Sequence, residues 1–337
     1  MPNINQSTLG YINQTLKYPQ PASPISALEI GFDLIIILFG LTVNGLIGFV
    51  LMINKKLRSE TIAPAIISLI GANFCFLLDS IGWLFSTDTR LGCKIFGTLG
   101  YALMLCSALN LFGIGILSFS KFYFLKNISE ESFRMVCKFF AISAWIVSVT
   151  VSFPTSIGQW GQINIECNSR ACRITNVNAD GSNTGYSLSK AYFTSYIIVG
   201  ISNIFLNIAI YYRIQNYFKT IVSEIGNFSP ETAMDYLRKE KETAKMIAAD
   251  CVLYVFFPIP RALLYMIEEY PEQTVTDSAR AIALVLWGST AIVEPVLLLA
   301  FKEKYRKEIK KILKGAYSSA RNKFSISPSV ADTSITD

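Results

Sequence analysis

The chain has 337 residues, 52% of them hydrophobic and 16% charged, with a formal net charge of +6 and no histidine. Charge this sparse, against a soluble norm of about 25%, disfavours a soluble multi-domain enzyme. The missing histidine removes the usual catalytic triads, His-dependent metal sites and the common pH switch. No P-loop, GxGxxG or zinc-type CxxC motif is present, and no basic patch interleaved with aromatics suggests nucleic acid. The expectation is a non-enzyme.

Residues 1–26 are polar and Pro-containing and read as an extracellular tail. No cationic n-region with a small-residue cleavage site opens the chain, so no removable signal peptide is expected. Asn5 and Asn13 stand in Asn-x-Ser/Thr acceptors for glycosylation. Seven apolar stretches follow, at about 27–54, 62–86, 93–120, 134–158, 189–213, 243–267 and 278–301. Each approaches or exceeds the roughly 20 residues needed to cross a hydrocarbon core. With no water there to satisfy the backbone, each must be a helix. The expected fold is all-α, a seven-transmembrane helix bundle over 27–301.

The longest outer loop, about 159–188, carries Cys167 and Cys172, the latter at the start of a predicted second strand. The longest inner loop, about 214–242, is charged and should extend the fifth and sixth helices into the cytoplasm. Beyond the seventh span, Phe301, Tyr305, Ile309, Ile312 and Leu313 form a stripe among basic residues. That pattern predicts an amphipathic interfacial helix over 302–316 whose lysines meet anionic membrane lipid. The Ser-rich 317–337 is expected to be disordered. No internal repeat is found, which weakens a transporter built from duplicated halves.

Lys and Arg set the orientation. The inner segments 55–61, 121–138, 213–245 and 302–323 hold 22 of the 30 basic residues. Cytoplasmic loops are the basic ones, so the N-terminus is expected outside, at the plasma membrane. Among cysteines, Cys75, Cys106, Cys137 and Cys251 fall within spans as small apolar residues. Cys93, Cys167 and Cys172 face the oxidising exterior.

From about 27 to 316 the chain resembles the rhodopsin-like G-protein-coupled receptors. Val43-Asn44-Gly45-Leu46-Ile47 is similar to Gly-Asn-x-x-Val, and Leu69-Ile70-Gly71-Ala72-Asn73 to Leu-Ala-x-Ala-Asp. Ser107 through Asn110 and Leu111 to Ile114 tracks Ser-x-Leu-Asn-Leu-x-x-Ile. Val255-Phe256-Phe257-Pro258 sits where Cys-Trp-x-Pro is expected, and Glu294-Pro295-Val296-Leu297-Leu298 where Asn-Pro-x-x-Tyr is expected. The specific signal is their order, one motif per expected span. The resemblance implies a disulfide from Cys93 to the second outer loop, with Cys172 the first choice and Cys167 the alternative.

Several departures carry information. Spacing from Cys93 puts Leu117-Ser118-Phe119 where the family has Asp-Arg-Tyr; an alternative alignment uses Ser120-Lys121-Phe122 and restores a cation. Either way, weak or conditional coupling is expected. The carboxylate usual on the second span and the amide usual on the seventh look exchanged, as Asn73 and Glu294. By resemblance Asn44, Asn73, Ser107 and Glu294 form one polar cluster midway through the bundle. It is either a Na⁺ or proton site built on Glu294 or a structural hydrogen bond between Glu294 and Asn73. The expected switch set is Leu117, Ser118, Phe119, Phe256, Pro258, Pro295 and Leu298.

Ionisable residues inside spans are candidate functional sites by default. Asp79, Gly100, Tyr101, Met104, Phe256, Arg261 and Trp287 are the ligand-pocket candidates, while Asp33 more simply snorkels to the interface. Gly100 falls where amine-binding members of the family carry an aspartate, which disfavours a monoamine ligand. Acidic residues of the third outer loop, Glu268, Glu269, Glu272 and Asp277, lean toward a basic peptide. The leading expectation is a receptor passing an extracellular ligand's signal, peptide or chemosensory, to a heterotrimeric G protein by movement of the sixth helix. A seven-helix transporter or channel, or a receptor-like protein that couples weakly, is the alternative.

Overall fold

The computed structural model describes residues 24–86, 90–124, 129–157, 162–165, 172–175, 188–224, 245, 249, 256–268 and 275–324. Nearly all of this is helix: α1 (Pro24–Ile53), α2 (Lys55–Arg58), α3 (Ala63–Ser86), α4 (Arg90–Phe124), α5 (Glu130–Ser156), α6 (Leu188–Glu224), α7 (Pro258–Glu268), α8 (Asp277–Phe301) and α9 (Glu303–Phe324). Two short strands, β1 (Gln162–Ile165) and β2 (Cys172–Thr175), pair antiparallel with Ile165 opposite Cys172.

Local chemistry explains the breaks. Pro24 opens α1, where a missing N–H costs nothing. Asn54 ends α1 and caps α2, its side-chain oxygen accepting from the Lys56 and Leu57 amides. The Ser129 hydroxyl accepts from the Ser132 amide, and Glu130 and Glu131 in the first turn of α5 suit the positive end of its dipole. Thr276 caps α8 in the same way. At its other end Lys302 leaves helical geometry and the chain turns by 95° into α9.

Among the described residues, Ile30–Ile53, Ala63–Gly82, Lys94–Ser120, Glu130–Pro154 and Tyr196–Arg213 are each long and apolar enough to cross a membrane. Most of the inner half of the expected sixth span, 243–257, lies outside the described residues; α7 is its outer part. The long helices pack side by side. α4 is central: 67% of its crossing segment is buried, against 28% in α5 and α6. It contacts α3, α5, α6 and both strands.

Outward faces are apolar. Leu38, Phe39, Met135, Phe139, Phe153 and Phe205 are all exposed. In water such a surface would aggregate; around a bundle of this length it is the face that meets lipid. Bare backbone lets helices approach closely. A Cβ on Gly113 would fall 2.3 Å from the Phe140 ring of α5, so glycine is what allows α4 and α5 this spacing. The longer helices overrun the expected ends, α6 reaching Glu224 and α9 Phe324.

Candidate functional site

Midway along the bundle, three side chains from three helices meet. The Asn73 amide of α3 donates to Glu294 Oε2 of α8 at 2.7 Å. The Ser107 hydroxyl of α4 lies 2.8 Å from Asn73 Oδ1 and 3.3 Å from Glu294 Oε2, offering its proton to both acceptors. Asn73 and Ser107 are buried. A carboxylate in lipid is costly. Here its oxygen takes two donors, so the cost is met by hydrogen bonds.

Asn44 has a different task from the one expected. Its amide donates to the Gly40 carbonyl of its own helix and to the Ala291 carbonyl of α8, each at 2.9 Å. Ala291 is four residues before Pro295, whose ring has no N–H, so this carbonyl has lost its helical partner. Asn44 supplies the missing donor and staples α1 to α8 at the proline. It therefore supports the triad from outside it.

Sodium would want several neutral oxygens beside one carboxylate. The cluster offers Glu294, Asn73 Oδ1 and Ser107 Oγ. Hard oxygen donors of this kind suit Na⁺, although the Asn73–Glu294 bond would have to open to admit it. No group of three or more His, Cys, Asp or Glu suited to a metal occurs among the described residues.

Inward of Glu294 lies a cavity of about 30 Å³ bounded by Ile66, Leu69, Leu111, Ile114 and Leu298 among others. It has volume for about two waters at 10–15 Å³ each. Among the described residues Glu294 is the one polar side chain lining it. The gap lies between α3, α4 and α8.

The end of the bundle that carries α2 and α9 is greasy. Leu117 packs in a cluster with Ala65, Phe133 and Cys137, and Ser118 behind it is buried. Leu298 joins Ile47, Leu51, Ile70, Tyr305 and Ile309 in a second cluster that welds α1, α3, α8 and α9. Phe119 is half-buried and Pro295 buried.

One contact at this end was not anticipated. Glu60, just after α2, pairs with Lys304 and accepts from the Tyr305 hydroxyl at 3.3 Å. Tyr305 is 1% exposed. Burial, and then the Glu60 carboxylate, push its phenol well above the ordinary value. An acid facing the family's basic stretch after the seventh span would have been the only signal in the sequence. The Trp145 indole likewise donates to Ser68 Oγ at 2.9 Å, tying α5 to α3.

On the outer side, Tyr101, Met104, Asp79 and Arg261 are buried. Trp287 of α8 lies between Phe76 and Tyr101, with ring centroids 6.0 and 6.4 Å away. Phe256 departs from expectation: at 62% exposed it points away from the bundle. It stands two residues before Pro258, which opens α7. A Cβ on Gly100 would fall 2.9 Å from Asp79 Oδ2, so the two residues face each other between α4 and α3. Cys167 lies outside the described residues, as do the side chains of Cys93, Cys172 and Pro258 and the acceptors Asn5 and Asn13.

α4 is central, α8 contains Pro295 and is joined to α3 and α4 through Glu294, and α9 turns away at its end. The profile of the 7 transmembrane receptors (rhodopsin family) covers residues 43–298. The chain belongs to the rhodopsin family of seven-transmembrane receptors. Squid rhodopsin, in its crystal structure, has the same fold, with a TM-score of 0.70 over 89% of this chain and 88% of that one at 18% identity. No curated protein matches the chain by sequence. The receptor is thus a multi-pass membrane protein of the G-protein-coupled receptor family, all-α apart from its two short strands.

Proposed function

We propose that this receptor sits in the plasma membrane with its N-terminus outside and binds an extracellular ligand between the outer halves of its helices. Binding favours an outward swing of the sixth helix, and the inner cavity so opened accepts a heterotrimeric G protein. This is a population shift, so the ligand must bind the open form more tightly. The observation that carries the reading is the buried Asn73–Ser107–Glu294 triad at the proline bend of α8. It joins three helices midway along the bundle, with a hydrocarbon-lined gap beside it. A Na⁺ ion or a proton at Glu294 would bias that junction. The basic helix α9 rests on anionic lipid, and Asn5 and Asn13 carry glycans.

Leu117 and Ser118 favour a second, weaker form of the same reading. Where the family places an ion-paired arginine, this chain has a hydrocarbon plug, so coupling is conditional and Lys121 is the nearest replacement cation. The experiment is a screen of peptides, chemosensory compounds and amines on cells with and without a promiscuous Gα. Ligand-driven signals only with Gα support the receptor. Current or flux without it would establish the channel or transporter instead. Signalling unchanged in Lys121→Ala excludes Lys121 as the substitute, and agonist affinity indifferent to sodium excludes the ion site.

A further inference from the structure

We propose that Asp79 is the counter-ion for an organic ammonium group of the ligand, in a site whose space is cleared by Gly100 and whose wall is Trp287, Phe76 and Tyr101. The inference deepens the ligand-pocket reading above and rests on it. Asp79 is 6% exposed, and its Oδ1 is buried without a hydrogen-bond partner. No ion pair reaches it among the described residues. An unpaired carboxylate within a membrane span is costly and is kept only where something uses it.

Gly100 shows that the placement is built in. A methyl at that position would come within 2.9 Å of Asp79 Oδ2. A larger side chain would push the carboxylate off the face of α4. The acid on α3 and the glycine on α4 are therefore one feature: the second removes the bulk that the first needs.

The rings complete the chemistry. Phe76 is about one helical turn inward of Asp79, and Tyr101 adjoins Gly100. Trp287 contacts both rings, edge-on to Phe76 at 67° and tilted against Tyr101 at 44°. A carboxylate whose own helix and facing helix carry this run of rings suits a cation carried on an apolar body. The composition differs from the triad at Glu294, where every charged oxygen contact is to a fixed protein donor.

The test uses the purified full-length receptor in nanodiscs, with 2-phenylethylamine as probe and its neutral counterpart 2-phenylethanol as control. The amine should raise the wild-type melting temperature saturably and quench tryptophan fluorescence; the alcohol should do neither. Asp79→Asn should abolish the preference for the amine while leaving the empty receptor as stable as wild type or more so. Gly100→Ala should weaken amine binding about tenfold. The proposal is overturned if the wild type does not distinguish amine from alcohol, if Asp79→Asn keeps the preference, or if Asp79→Asn lowers the stability of the empty receptor. None of these readouts involves a G protein. A receptor that binds the amine selectively but never couples would therefore refute the signalling proposal and leave this one standing.

Discussion

Two buried carboxylates stand on facing helices of this receptor, and they are treated oppositely. Glu294 receives the Asn73 amide and the Ser107 hydroxyl. Asp79 keeps an oxygen with no hydrogen-bond partner among the described residues. An acid whose acceptors are filled holds helices together, whereas one left empty costs stability and waits for a cation. The two therefore call for opposite mutational signs, which the melting temperature of the purified receptor can read.

The largest effect should come from Glu294→Ala. It strips the acceptor from the buried Asn73 amide, leaves Ser107 only its bond to Asn73 Oδ1, and empties the space between three helices; it should cost about 3 kcal/mol. Glu294→Gln keeps an acceptor oxygen and should stay within about 1 kcal/mol of wild type; equal losses in both would mean that charge, not hydrogen bonding, holds the triad. Asn44→Ala comes next. It orphans the Ala291 carbonyl beside Pro295 and should cost about 2 kcal/mol. Restoring the backbone donor with Pro295→Ala in the same chain should recover part of that loss, because the helix then serves Ala291 itself. Asp79→Asn should go the other way, gaining about 1 kcal/mol in the ligand-free receptor; a loss would erase the contrast between the two acids.

The smallest effect belongs to the inner end. Glu60→Gln weakens a half-exposed pairing with Lys304 and should change stability by under about 1 kcal/mol. Tyr305 adds a pH signature. Its raised pKa means that the folded state keeps the phenol neutral where the unfolded chain would ionise. That contribution is intact below the ordinary value of 10.0 and is lost as pH rises past it. Wild type should therefore lose stability more steeply above pH 10 than Tyr305→Phe, which has no phenol to titrate.

What could be read along the chain was what depends on period and composition. Apolar stretches of membrane length give helices whatever their neighbours do, because lipid leaves the backbone no other partner. The stripe of α9 and the proline bend of α8 are local in the same sense. That Asn73, Ser107 and Glu294, with Asn44, gather into one polar cluster was what the family resemblance implied.

Tertiary structure decided everything that depends on which face of a helix meets which neighbour. Asn44 looked like a fourth member of the triad, and its bond to the carbonyl freed by Pro295 exists only because α1 lies against α8. Phe256 read as a switch and pocket residue, and its side chain is 62% exposed. Gly100 read as the absence of an acid; only the packing of α3 on α4 brings Asp79 Oδ2 within 2.9 Å of where its Cβ would stand. Glu60 and Tyr305 lie far apart in sequence, and no pattern along the chain brings them together. The sequence by itself determined a membrane bundle and the depth of its polar residues, since lipid fixes helix and level. The partners of those residues, and so which acid is satisfied and which is left waiting, came from side-chain contacts across helices that no one-dimensional period encodes.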